Sequence, residues 1–255
     1  MADPIRNYQT STGVRVDIDQ GLRAYMIKVY NLMGLGLLIT GLAAVGTIML
    51  ATTTDPASAV ATLSSGEMLT SFGYAIFASP LKWAVIFAPL AAVMFLSFRV
   101  QSMSVAAAQT TFWVYAGLVG LSLSSIFLIY TPASISQTFF ATAAAFGGLS
   151  LYGYTTKRDL SAFGSFLVMG LIGLIIASLI NIFLQSSALT FAVSAIGVLV
   201  FAGLTAYDTQ SIKEMYYEGD ATDTAGRKAI MGALRLYLDF INLFMFLLQF
   251  MGDRR

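Results

Sequence analysis

Apolar residues fill long stretches of the chain, and polar residues gather in short segments between them. Charges mark the interruptions best. No Asp, Glu, Lys or Arg occurs in residues 29–54, 83–98, 100–156 or 160–207. A helix needs about 20 mainly apolar residues to cross a bilayer, so the first two gaps hold one span each and the long ones two each. A further apolar helix, residues 229–250, is different, because Arg235 and Asp239 lie inside it. The pattern predicts an all-α integral membrane protein, a seven-transmembrane-helix bundle with spans near residues 25–50, 81–98, 107–129, 133–154, 162–184, 188–218 and 229–250. No strand alternation or internal repeat stands out.

Composition narrows the function classes. The chain is 57% hydrophobic and 11% charged, against about 25% charged in soluble domains, which excludes a water-soluble globule. Fourteen basic and 13 acidic residues leave a net charge of +1, so there is no footprint for nucleic acid. There is no His and no Cys. Imidazole acid/base chemistry, Ser-His-Asp and Cys-His nucleophiles, thiolate or imidazole metal sites and disulfides are thereby excluded. Remaining chemistry must run on carboxylates, Lys, Arg, Tyr, hydroxyls and backbone.

Residues 1–24 form a polar segment before the first span, read as a cytoplasmic tail, with residues 25–255 as the transmembrane domain. The first apolar stretch is too long for a signal-peptide core. Arg6, Arg15, Arg23 and Lys28, then Arg99, Lys157, Arg158, Lys213, Arg227 and Lys228, fall on alternate loops, which places those loops and the N-terminus on the cytoplasmic side. Arg254 and Arg255 break the pattern, because seven crossings put them outside. Small residues let membrane helices approach closely, so Gly34, Gly36, Gly117, Gly120, Gly170, Gly173 and the Ala144/Gly148 pair are expected at helix contacts.

Ionisable groups inside a membrane helix are costly and mark functional candidates. Asp208 lies ten residues before Glu218, and Asp239 lies eleven after Lys228. With Gly219 expected to stop the sixth helix, each carboxylate sits about 15 Å along its helix, at one level of an antiparallel pair. Arg235, Asp239, Asn242, Gln249 and Asp253 share a stripe of the seventh helix, while Thr205, Asp208 and Ser211 share a face of the sixth. Such a stripe cannot face lipid, so the C-terminal helix is expected at the bundle's centre. In a plainer arrangement Arg235 neutralises Asp239, and Asp208 pairs with Lys213 or Arg99 as inert clasps.

Two segments carry a resemblance. Tyr207-Asp208-Thr209-Gln210, and Tyr237-Leu238-Asp239-Phe240-Ile241-Asn242-Leu243-Phe244, resemble the paired signatures of the Bax inhibitor family (transmembrane Bax inhibitor motif), and the Thr142–Phe146 run of the fourth helix adds to the match. It extends over about residues 25–250. The Gly-Pro associated with the third-to-fourth helix turn is here Thr131-Pro132. The resemblance implies a bacterial-type member in the inner membrane, a seven-helix bundle with the last helix central, and a pH-sensitive calcium leak gated by an aspartate pair, which maps onto Asp208 and Asp239. It also implies a latching Arg on the second helix, where Arg99 is the only Arg, and a membrane-embedded ATP-dependent protease as a partner that bacterial relatives restrain.

The residues suit such a leak. Two carboxylates in one partly dehydrated site favour a shared proton, and titration belongs to the pair. Calcium takes six to eight oxygens, whereas two Asp, Asn242, Thr205 and water form a weak site. Asp208 and Asp239 are thus read as pH sensor and weak calcium site, Arg235 or Arg99 as counter-ion, and Asn242 and Thr205 as supporting polar groups. Lipid and a cation are the expected partners, and no cofactor or enzymatic activity is expected.

Three other classes compete. A non-transporting modulator of the membrane protease would act through its N-terminal tail. An intramembrane aspartyl protease also sets two Asp on consecutive helices, but Tyr237-Leu238 stands where such enzymes carry Gly-x-Gly. A retinal photoreceptor needs a Lys in the last helix, and residues 229–250 contain none.

Overall fold

The computed structural model describes residues 6–63 and 65–255, with side chains from residue 20 onward. Seven long helices follow one another. They are α1 (Arg6–Ala51), α2 (Leu81–Arg99), α3 (Val105–Leu123), α4 (Pro132–Thr155), α5 (Ser161–Leu184), α6 (Ser187–Glu214) and α7 (Thr222–Met251). Among the described residues, six segments, one in each long helix but α4, are long and apolar enough to cross a membrane. The fourth differs in composition. Its Ser134, Thr138, Thr142 and Ser150 follow a four-residue period and are all buried in the bundle, so its mean hydropathy falls although its outer face is apolar.

Helix ends follow local chemistry. Ser104, Thr131 and Ser186 cap α3, α4 and α6, each hydroxyl accepting an N–H from three residues on. Pro132 occupies the first turn of α4, where no N–H is missed. Gln185 ends α5 in the left-handed region at φ 49°, a conformation that Asn181 supports by accepting the Ser186 N–H at 3.0 Å. The sixth helix ends at Glu214, earlier than expected, and Gly219 does not stop it. Lys228 explains the early stop by donating to the Met215 carbonyl at 3.0 Å and pairing with Asp220 at 2.5 Å.

The first helix begins at Arg6, so the polar segment before residue 25 is helical from there on and runs into the apolar stretch without a break. The α1–α2 connection contains a three-stranded antiparallel sheet in the order β1 (Thr52–Thr53), β3 (Met68–Leu69), β2 (Ala61–Thr62). Strands of two residues are too short to show alternation in a sequence.

The last helix packs against α6, α1, α4 and α3. Its buried residues recur on nearly every turn from Gly226 to Leu248. By contrast α2 packs mainly on α3, and α5 mainly on α6. Close approach depends on a subset of glycines. A methyl group at Gly36 would meet Phe112, at Gly120 the Thr40 carbonyl, and at Gly170 Val200, whereas Gly34, Gly117, Gly148 and Gly173 face open space. The closest approaches involve glycines not singled out by sequence, such as Gly153 against the Ala206 carbonyl.

Gly153→Ala should therefore destabilise the protein by about 1 to 3 kcal/mol through overpacking, and Gly148→Ala should not. Thermal unfolding of the two variants in detergent checks the contrast.

Candidate functional site

Asp208 and Asp239 meet in one cavity of about 700 Å³. Its floor comes from α6 and α7, and its walls from α5 and Leu90 of α2. Helical spacing sets the lining. On α7, Arg235, Leu238, Asp239, Asn242 and Phe246 repeat at three- and four-residue steps and share the cavity side. On α6, Phe201, Leu204, Tyr207 and Asp208 do the same.

Asp239 is only 4% exposed, and its Oδ2 has no hydrogen-bond partner among the described residues. Asp208 is half-buried beside it, and the Arg235 guanidinium is the nearest balancing charge. Contact falls short of an ion pair. Among the described residues, ion pairs join Lys228 to Asp220 and Arg255 to Glu67, and neither cavity aspartate takes part. Lys213 is turned away and donates to the Tyr154 carbonyl at 2.8 Å. The inert clasps considered from sequence are therefore not formed, and a buried carboxyl is left poised toward an open space.

The other predicted residues divide. Asn242 lines the cavity, and its Nδ2 donates to the Leu238 carbonyl at 2.8 Å, which leaves Oδ1 available to a cation. Thr205 is fully buried, does not line the cavity and spends its hydroxyl on the Phe201 carbonyl at 2.8 Å. Arg99 lies exposed at the end of α2 and does not line the cavity, so among the arginines only Arg235 does. Asp253 lies beyond the helix, where its carbonyl accepts from the Thr131 N–H. Ser178 and the apolar α5 wall of Leu171, Leu174 and Ile175 were missed from sequence. Ser178 was the one available signal, a hydroxyl on an otherwise oily helix face.

The remaining motif residues hold this arrangement in place. Thr209 meets Ser150 of α4 at 2.9 Å, and Ser150 meets Tyr30 of α1 at 2.5 Å. Gln210 ties the α4–α5 loop by accepting the Leu160 N–H and donating to the Arg158 carbonyl, both at 2.8 Å. Tyr237 packs edge-on against Phe112 and Tyr115. Its hydroxyl lies 2.6 Å from that of Thr40, whose own proton goes to the Gly36 and Ala116 carbonyls, so Tyr237 is the donor. Phe240 meets Phe139 and Phe146 on the far side of α7. Each motif therefore alternates a cavity-facing carboxylate with residues that fix the helix bearing it.

A bundle of apolar helices holding a buried acid pair defines a polytopic membrane protein with an intramembrane polar site. The chain belongs to the family described as inhibitor of apoptosis-promoting Bax1, the Bax inhibitor family, whose model matches residues 22–255. It is 49% identical over 246 residues to RP147 of Rickettsia prowazekii, covering 96% of each chain. It is 48% identical over 237 residues to the inner membrane protein YbhL of Escherichia coli K12, covering 92% of this chain and 94% of that one.

A buried polar atom without a partner costs about 1 to 3 kcal/mol. Asp239→Leu should therefore stabilise the fold by about that amount, seen as a higher unfolding midpoint in detergent. A comparable fall would show the carboxyl to be a paired structural element.

Proposed function

We propose that this protein is a proton-controlled calcium leak of the bacterial inner membrane, crossed by seven helices with α7 central and the N-terminus cytoplasmic. The observation that carries the proposal is the buried Asp239 carboxyl, its Oδ2 without a partner among the described residues, set beside Asp208 in a cavity that Arg235 also lines. Charge arithmetic supplies the switch. With both aspartates ionised, the pair exceeds Arg235 by one negative charge and attracts a cation. With one proton bound, Arg235 balances the pair and the attraction is lost. Two carboxylates and Asn242 cannot fill a shell of six to eight oxygens, so calcium keeps water and passes instead of being stored.

Loop contacts support seven crossings. Gln210 reaches Arg158, Lys213 reaches Tyr154 and Arg227 reaches Met103, which groups the loops after α2, α4 and α6 at one end. The C-terminus meets the α3–α4 turn and Glu67 of the α1–α2 connection. An outward C-terminus is then the consequence. Arg255 is tolerated there because Glu67 neutralises it. The Escherichia coli relative is an inner membrane protein, which supports the same location here. In this scheme the protein is a conduit and not an enzyme.

Calcium flux into proteoliposomes should rise from mildly acidic to neutral pH, and Asp208→Asn/Asp239→Asn should reduce it to the level of empty vesicles at every pH. Wild-type-like flux in the double variant would sink the proposal. Arg235→Gln should retain flux but shift its pH dependence, since one balancing charge is removed.

A further inference from the structure

Two smaller cavities continue from the acid pair toward the end that carries the C-terminus. The first, about 210 Å³, shares Ser178, Ile182 and Phe246 with the aspartate cavity. The second, about 510 Å³, shares Asn181, Ile182, Thr190 and Gln249 with the first and adds Arg254 at its edge. The three volumes thus form a series along α5, α6 and α7. From Asp239 to Gln249 the series covers about 15 Å of helix. Ser178 and Gln249 interrupt apolar faces and are exposed there, which is a poor arrangement in hydrocarbon and a natural one beside water.

The last four residues place Arg254 at the rim. Asp253 donates its N–H to the Ser134 hydroxyl at 2.9 Å and accepts from the Thr131 N–H at 3.0 Å. Arg255 donates its N–H to the Ile129 carbonyl at 2.9 Å, and its guanidinium pairs with Glu67. Between these two anchors Arg254 bridges to Tyr130, its guanidinium 5.9 Å from the ring centre. A terminus tied at the α3–α4 turn and the α1–α2 connection keeps the Arg254 side chain at the mouth.

We propose that Ser178, Asn181, Thr190 and Gln249 line a water-filled passage from this face to the aspartate pair, and that Arg254 is its specificity-determining charge, set there by the C-terminal clasp. Arg254 opposes cation entry and so restrains the leak proposed above, on which this role rests. The existence of the passage is independent of ion flux.

The absence of Cys makes the test direct, because each introduced thiol is the only one in the chain. Ser178→Cys, in membrane vesicles exposing the C-terminal face, should react with an impermeant thiosulfonate at least about tenfold faster than Ile176→Cys, which is exposed on α5 but outside the cavities. Equal inertness of the two, while Gln185→Cys at the rim reacts, overturns the passage and shows it filled by lipid or closed. In the Ser178→Cys background, Arg254→Gln should raise the ratio of cationic to anionic reagent rates by roughly fivefold, as expected for a unit charge within a nanometre of a watery path. Arg254→Lys should leave that ratio unchanged. A ratio insensitive to Arg254→Gln overturns the role of Arg254. Reactive Ser178→Cys in a protein without calcium flux would refute the leak and leave the passage standing.

Discussion

Everything in this structure depends on keeping the polar edge of α7 away from hydrocarbon. A bilayer offers no water to Arg235, Asp239 or Asn242, so those side chains must face protein or an enclosed polar space. Helical geometry puts them on one side, and α6 is the helix that meets that side with a carboxylate of its own. The opposite side of α7 carries Tyr237, Phe240 and Phe244, and there α1, α3 and α4 close over it with aromatic edges and a buried hydroxyl contact. The acid pair is thus held by a rigid apolar wall behind and left open in front.

That asymmetry has an energetic meaning. Behind α7 the Tyr237 and Thr40 hydroxyls are matched, and the Tyr30–Ser150–Thr209 chain joins three helices through hydroxyls alone. On the cavity side the matching stops, since the Asp239 Oδ2 is orphaned and Arg235 does not close onto it. Stability concentrated on one face of a helix and withheld on the other is the arrangement expected where a site must bind and release a charge. The peripheral packing of α2 and α5, each resting mainly on one neighbour, surrounds the open side with the least anchored helices. Pro89 lies within α2 next to the cavity residue Leu90, and it removes one backbone hydrogen bond where the helix borders the site.

Much of this was legible before any coordinates. The charge-free gaps and the apolar run after Lys228 located the long helices, but α1 and α7 begin earlier than expected, at Arg6 and Thr222, and α3 and α6 end earlier, at Leu123 and Glu214. Counting along an antiparallel pair expected Asp208 and Asp239 at one level; they do share a cavity, although α6 ends six residues after Asp208, at Glu214, and α7 begins seventeen before Asp239, at Thr222. Hydroxyl and glycine contacts were not legible, because a Ser, Thr or Gly in an apolar helix reads the same whether it touches a neighbour or lipid. Gly153 and Gly148 lie in one helix, and only one meets a carbonyl. Thr205 shared the face of Asp208 on paper but turned its hydroxyl back to its own helix, and Arg99 stayed at the surface.

The division follows from the range of the forces. Solvation acts on each residue by itself, so the one-dimensional pattern of charge and hydropathy was enough to determine a helical membrane bundle and to single out the two carboxylates that lipid would not tolerate. Which partner each polar group finds depends on distances of a few ångströms between helices far apart in the chain. Tertiary structure alone decided that Arg235 lines the cavity and Lys213 does not, that α5 supplies its oily wall, and that the C-terminus is tied to the α3–α4 turn and the α1–α2 connection.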